Sequence, residues 1–143
     1  MVNGRNKGKN GERQVIALLQ PIVAQEYGRF GLPAPVLERN LEQTRGGGYD
    51  IKGVPWLALE VKRVENLQVA AWWRQAIRQA GPEQVPALLY RRNQEKWTGV
   101  VFLWDAYGGR HTAQLDQVDW INWFQINLRG YLRDQMEGDS NGG

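Results

Sequence analysis

Two periods of apolar residues run along this chain, and they divide it into elements. At residues 10–27, Val15, Leu18, Leu19 and Ile22 recur at helical spacing, and Ile16 and Val23 widen the stripe. Asn10 suits the N-cap of that helix, and residues 1–9 (MVNGRNKGK) read as a mobile basic lead-in. A loop at 28–35 precedes a first strand at 36–43. At 57–62 the pattern changes to period 2, with Leu57, Leu59 and Val61 on one face and Ala58, Glu60 and Lys62 on the other. Ile51 opposes Asp50 and Lys52 with the same parity, so a turn at Val54-Pro55 predicts a hairpin. Residues 67–80 return to helical spacing, with Val69, Trp73, Ala76 and Ala80 facing inward.

The segments PALLYR (86–91) and TGVVFLW (98–104) are continuously apolar, as strands buried on both faces are. His111 follows Gly108-Gly109 in an expected turn. Residues 116–136 form a long amphipathic helix, with Val118, Ile121, Leu128 and Leu132 in one row and Trp120, Phe124 and Tyr131 in a second. The order is helix, three strands, helix, two strands, helix. It predicts an α/β fold in which helices flank a central mixed sheet. One domain, 10–135, is expected, followed by a disordered tail at 136–143.

Composition narrows the chemistry. The 143 residues suffice for a single hydrophobic core. There is no cysteine, one histidine and one serine, Ser140 in the tail. Thiol catalysis, Ser-His-Asp catalysis and Cys- or His-rich zinc sites are therefore excluded. Any metal must be a hard cation held by carboxylates, meaning Mg²⁺, with Mn²⁺ as substitute. No apolar run spans a membrane and no signal-peptide core is present, so a soluble cytoplasmic protein is expected. The net charge is +3, with Arg5, Lys7, Lys9 and Arg13 near one end and Asp134, Glu137 and Asp139 near the other. A polyanion-facing surface fits this distribution, as do many proteins with no nucleic-acid role.

A few polar residues fall where the pattern asks for apolar ones. Glu12 lies on the row of Ile16, Leu19 and Val23. A first-turn acid complements the helix dipole, but that does not place it on the inward face. Asp50 follows three glycines, and Glu60 and Lys62 share one strand face. Two carboxylates and an ammonium on one surface suit a divalent cation and a phosphate; E-x-K on a solvated strand face is the ordinary alternative. Gln75 sits mid-helix after the acidic strand, and Trp72 either packs or stacks on a base. Lys7, Lys9, Arg39, Arg45, Arg74, Arg91 and Arg92 are candidate phosphate contacts.

In order and context these segments resemble the PD-(D/E)XK nuclease superfamily, and within it the archaeal and phage-type Holliday junction resolvases. The matching segments are NGERQV with Glu12, GGYDI with Asp50, LEVKR with Glu60 and Lys62, and WWRQA with Gln75, within residues 10–104. Tyr49 stands where the family name has proline, which is not a ligand. The resemblance implies a restriction-endonuclease-like fold and Mg²⁺-dependent cleavage of DNA. It puts the metal on Asp50, Glu60, the Val61 carbonyl and, directly or through water, Glu12. Lys62 would orient the attacking water or stabilise charge on the phosphate.

A resolvase also implies a symmetric homodimer on four-way junctions. The aromatic breadth of the last helix (Trp120, Trp123, Phe124, Tyr131) either supplies that contact or packs wholly against the sheet. Cleavage of ends, nicks or restriction-type sites, and a non-catalytic nucleic-acid-binding domain, are the alternatives.

Overall fold

The computed structural model describes residues 4–41 and 49–141, with side chains at 9–41 and 49–138. Helix α1 (Gly4–Arg29) leads to a two-residue strand β1 (Glu38–Arg39). β2 (Ile51–Lys52) pairs antiparallel with β1, with Glu38 opposite Lys52 and Arg39 opposite Ile51. β3 (Leu57–Arg63), helix α2 (Val69–Gln79) and β4 (Val85–Arg91) follow. The chain closes with β5 (Thr98–Trp104), β6 (Arg110–Asp116) and α3 (Gln117–Asn141). The main sheet has the order β3-β4-β5-β6; its first pair is parallel and the other two are antiparallel. The protein is thus mixed α/β, a four-stranded mixed sheet flanked by helices. Among the described residues no helix is long and apolar enough to cross a membrane.

Parity along the strands separates two cores. Leu57, Leu59, Val61, Ala87, Leu89 and Val101 face α1 and α3, while Leu88, Tyr90 and Val100 face Trp72, Trp73 and Ala76 of α2. α1 lies over β3, and α3 lies over β5 and β6 and touches α1. The chain crosses from β3 to β4 through α2, the connection that a parallel pair requires.

Several expectations are corrected. α1 begins at Gly4, not near Asn10, since glycines at 4 and 8 weaken helical backbone without forbidding it. α3 runs to Asn141, past Met136, through residues that carry no breaker stronger than Gly138. The strand expected at 36–43 has only two residues in ladder pairing within the described part. No β2–β3 hairpin ladder forms, because β2 pairs back onto β1. The region expected as a turn around His111 is the start of β6, an edge strand whose alternation is too polar to read as apolar.

The aromatics of α3 pack inward. Trp120 and Phe124 are fully buried and stack at 5.7 Å, and Trp123 and Tyr131 pack partly against the same core. Gly99 makes the room: a Cβ there would lie 1.9 Å from the Trp120 ring. Val118 and Ile126, by contrast, are exposed.

Glu26 ties α1 to α3. It is fully buried and accepts from Arg129 Nε at 3.0 Å, Arg129 Nη2 at 2.9 Å and Gln125 Nε2 at 2.8 Å. The Arg129 bonds outweigh burial and lower its pKa from 4.5 to about 2. A depressed carboxylate contributes stability that is complete above its unfolded pKa and lost as pH falls through the folded one. Arg129→Met is therefore expected to destabilise the protein near pH 7, because buried Glu26 keeps only the Gln125 amide and Arg29 at 3.8 Å. In urea unfolding, the gap between variant and native protein should narrow as pH falls from about 4.5 towards 2.

Candidate active site

β3 is the edge strand of the main sheet, and its free edge is closed by Asp50. The Asp50 N–H donates to the Leu59 carbonyl at 2.8 Å, and its Oδ2 accepts the Val61 N–H at 2.7 Å. Strand geometry turns the Val61 carbonyl to the same side as its N–H, away from β4. Asn40 holds the segment from behind: its N–H donates to the Asp50 carbonyl at 2.8 Å and its Nδ2 to the Tyr49 carbonyl at 2.9 Å. Nothing in the sequence pattern singles out Asn40, whose role depends on the pairing of β1 with β2.

Glu60 and Lys62 project from β3 towards the layer that holds α2, in register with Leu88 and Tyr90 of β4. A solvated strand face, the ordinary alternative for E-x-K, does not hold: Glu60 and Asp50 are 3% and 6% exposed. Burial and close approach decide the charge state. The Asp50 pKa rises to about 6, chiefly through desolvation, with the Val61 bond and Lys62 opposing and Glu12 adding to the rise. The Glu60 pKa rises to about 8, through desolvation first and then the charge of Asp50. The two carboxyls are hydrogen-bonded to each other. At neutral pH the pair holds one proton between them.

Glu12 is buried on α1, as its place in the stripe predicted, and its charge reaches both carboxyls. Its own Oε2 accepts Arg39 Nε at 2.6 Å, so Arg39 is committed to an ion pair. Among the described residues, no group of three or more His, Cys, Asp or Glu side chains is arranged to hold a metal ion. Asp50, Glu60 and the Val61 carbonyl are nonetheless hard oxygen donors on one strand edge. A cation in place of the shared proton would relieve the repulsion between the carboxylates, so these residues fit magnesium or manganese in chemistry.

The remaining candidates are scattered. Gln75 is half-buried on α2, on the side of the sheet that Glu60 and Lys62 face. Trp72 packs against Tyr90 at 6.0 Å and is buried, which settles it as core. Arg74 and Arg92 are exposed, and Lys9 and Arg91 are half-buried. Arg45, with the glycines at 46–48, lies outside the described residues, as do the side chains of Arg5 and Lys7. Comparison with protein-family models, with curated proteins and with solved structures yields no match.

The carboxyl pair makes a prediction about stability alone. The unfolded chain releases both protons near pH 4, whereas the folded protein keeps one, so stability falls as pH rises from about 4 through about 8. Glu60→Gln should flatten that decline and stabilise the metal-free protein by on the order of 1 kcal/mol at pH 8. Chemical denaturation from pH 5 to 9 measures it; parallel curves for the two proteins would contradict the proton-sharing pair.

Proposed function

We propose that this protein is a metal-dependent endonuclease of the restriction-endonuclease-like fold, hydrolysing DNA phosphodiester bonds and acting on branched, four-way DNA. The observation that carries the reading is the buried Asp50–Glu60 pair with Lys62 beside it. Two carboxyls that burial and mutual repulsion hold partly protonated are poised for a cation. Bound there, magnesium would acidify a water molecule and offset the charge of the phosphate.

The protein's own groups divide the remaining work. Asp50 and Glu60, with the Val61 carbonyl, would hold the ion in place of their shared proton. Lys62 places a positive charge where negative charge gathers on the phosphate oxygens in the transition state. Glu12 stays with Arg39 and adds negative potential behind the pair. That engagement also favours the second reading, a nucleic-acid-binding domain without catalysis, because it leaves two acidic ligands instead of three.

Magnesium should raise the melting temperature of the native protein and leave that of Asp50→Asn unchanged. Asp50→Asn and Glu60→Gln should abolish Mg²⁺-dependent cleavage of a four-way junction while binding it as tightly or more so, since negative charge near phosphate is removed. Lys62→Ala should lower turnover by roughly 10²-fold with little change in affinity. A panel of linear, nicked, flapped and four-way substrates separates the resolvase from a general nuclease. Normal cleavage by both carboxylate variants would reject the site.

Resolution of a junction needs two cuts, and each chain has one carboxyl pair. The α3 aromatics are used internally, but the outer edge of β6 has no strand beside it among the described residues. Antiparallel pairing with a second copy about Ala113 sets Arg110 opposite the partner's Asp116 at both ends. Light scattering should give a dimer for the native protein and a monomer for Arg110→Glu; a native monomer would remove this pairing.

A further inference from the structure

The parallel register of β3 and β4 sets Arg63 beside Arg91. Both follow the parity of Leu57, Leu59 and Val61, and of Ala87 and Leu89, so they end the strands on the α1 face, opposite Glu60 and Lys62. α1 closes down on this corner: a Cβ on Gly11 would lie 3.1 Å from the Arg63 Cβ and 3.7 Å from the Trp97 ring. The Arg91 guanidinium stands over the same Trp97 ring at 5.5 Å.

The Nε of each arginine is buried and meets no hydrogen-bond acceptor. Neither arginine forms an ion pair with a carboxylate among the described residues, where Glu12 and Glu26 are taken by Arg39, Arg29 and Arg129. Burial first, and the neighbouring Arg63 charge second, lower the Arg91 pKa. Packing of the aliphatic stems would account for half-burial. It would not account for two like charges side by side with their inner donors unmet, an arrangement that costs free energy unless an anion answers it.

We propose that Arg63 and Arg91 together bind one phosphate group, that of a nucleic-acid backbone. Two forked, planar donors side by side match the several oxygens of a phosphate better than a lone carboxylate would. The site needs no metal and no cleavage; only the identity of its phosphate as part of DNA rests on the proposed function. Arg63 was not among the residues the sequence pattern marked, because only the parallel register brings it to Arg91.

The test uses the full chain in EDTA, so that nothing is cut. A fluorescent DNA duplex is titrated against native protein, Arg63→Gln, Arg91→Gln and the double variant over a range of salt, and each protein is melted with and without inorganic phosphate. Each single variant should weaken DNA binding about tenfold. Because one phosphate is shared, the double variant should lose little more, and the log–log salt slope should shrink by about 0.9 once, not twice. Phosphate should raise the melting temperature of the native protein only. Without anion, the variants should melt no lower than native protein, since a repulsion has been removed.

Native-like DNA binding with an unchanged salt slope would overturn the backbone assignment, even if the phosphate effect on melting survives. Variants that melt lower without anion yet bind DNA normally would make the pair a packing feature. An inactive protein that still gives the expected binding result leaves the phosphate site standing. A failed binding result leaves the Asp50–Glu60 assignment untouched.

Discussion

The bond from the Val61 N–H to the Asp50 carboxylate does more for this molecule than any other single contact. β3 is an edge strand buried on both faces, and its outward backbone groups would otherwise lie unpaired beside a core. Asp50 satisfies two of them at once, the Val61 N–H by its side chain and the Leu59 carbonyl by its own N–H. The same bonds fix the acid beside Glu60. An aspartate that served only to close a strand edge would be expected to titrate low, because a bond from a backbone N–H favours the carboxylate. Asp50 titrates high instead, since desolvation exceeds that bond and Glu12 adds to the rise. The device that completes the sheet is therefore also what concentrates negative charge at its rim.

α1 sets the spacing of the layer above. Its buried residues Glu12, Val15, Leu19, Val23 and Glu26 form one stripe, three aliphatic in the middle and one glutamate at each end. Each glutamate reaches an arginine far away in sequence, Arg39 at one end and Arg129 at the other. The aliphatic centre supplies burial that would tolerate small slides along the strand. The two charged ends do not, because a shifted helix would leave a carboxylate buried without its guanidinium. Glu12 is held within electrostatic range of Asp50 and Glu60 by this pinning at both ends.

Much of this could be read from the chain, and the failures share causes. β3, β4 and β5 were legible because alternation or continuous apolarity marks strands inside a core. The inward placement of Glu12 followed from helical phase alone. β6 was not legible: Arg110, His111 and Thr112 open it, and only Ala113 and Leu115 turn partly inward. The breadth of aromatics on α3 looked like surplus because the pattern could not show that Gly99 leaves a slot for Trp120. The hairpin failed for a different reason. Parity correctly opposed Ile51 to Asp50, but parity says nothing about which strand becomes the partner, and β2 found β1. The carboxyl pair was legible as residue types and spacing, whereas its burial under α2 and its shared proton needed the third dimension.

One end of β3 thus carries opposite stresses on its two faces. At its rim, desolvation first and the Asp50 charge second keep a proton on the Asp50–Glu60 pair; towards α1, Arg63 and Arg91 stand together with buried donors unmet. Pairing acid with base would satisfy both groups, and Glu60 and Arg63 lie only three residues apart on β3. Elsewhere the chain does pair them, at Glu12–Arg39 and at Glu26–Arg129. The sheet itself prevents it here, since alternation sends residues 60 and 63 to opposite faces. Local rules of charge satisfaction broken on both sides of one strand, and obeyed in the rest of the described structure's buried acids, are what a site for a bound cation and a bound phosphate would require. Under the function and the phosphate site proposed above, a metal would relieve the first face and a phosphate the second, and a nucleic-acid backbone would answer both.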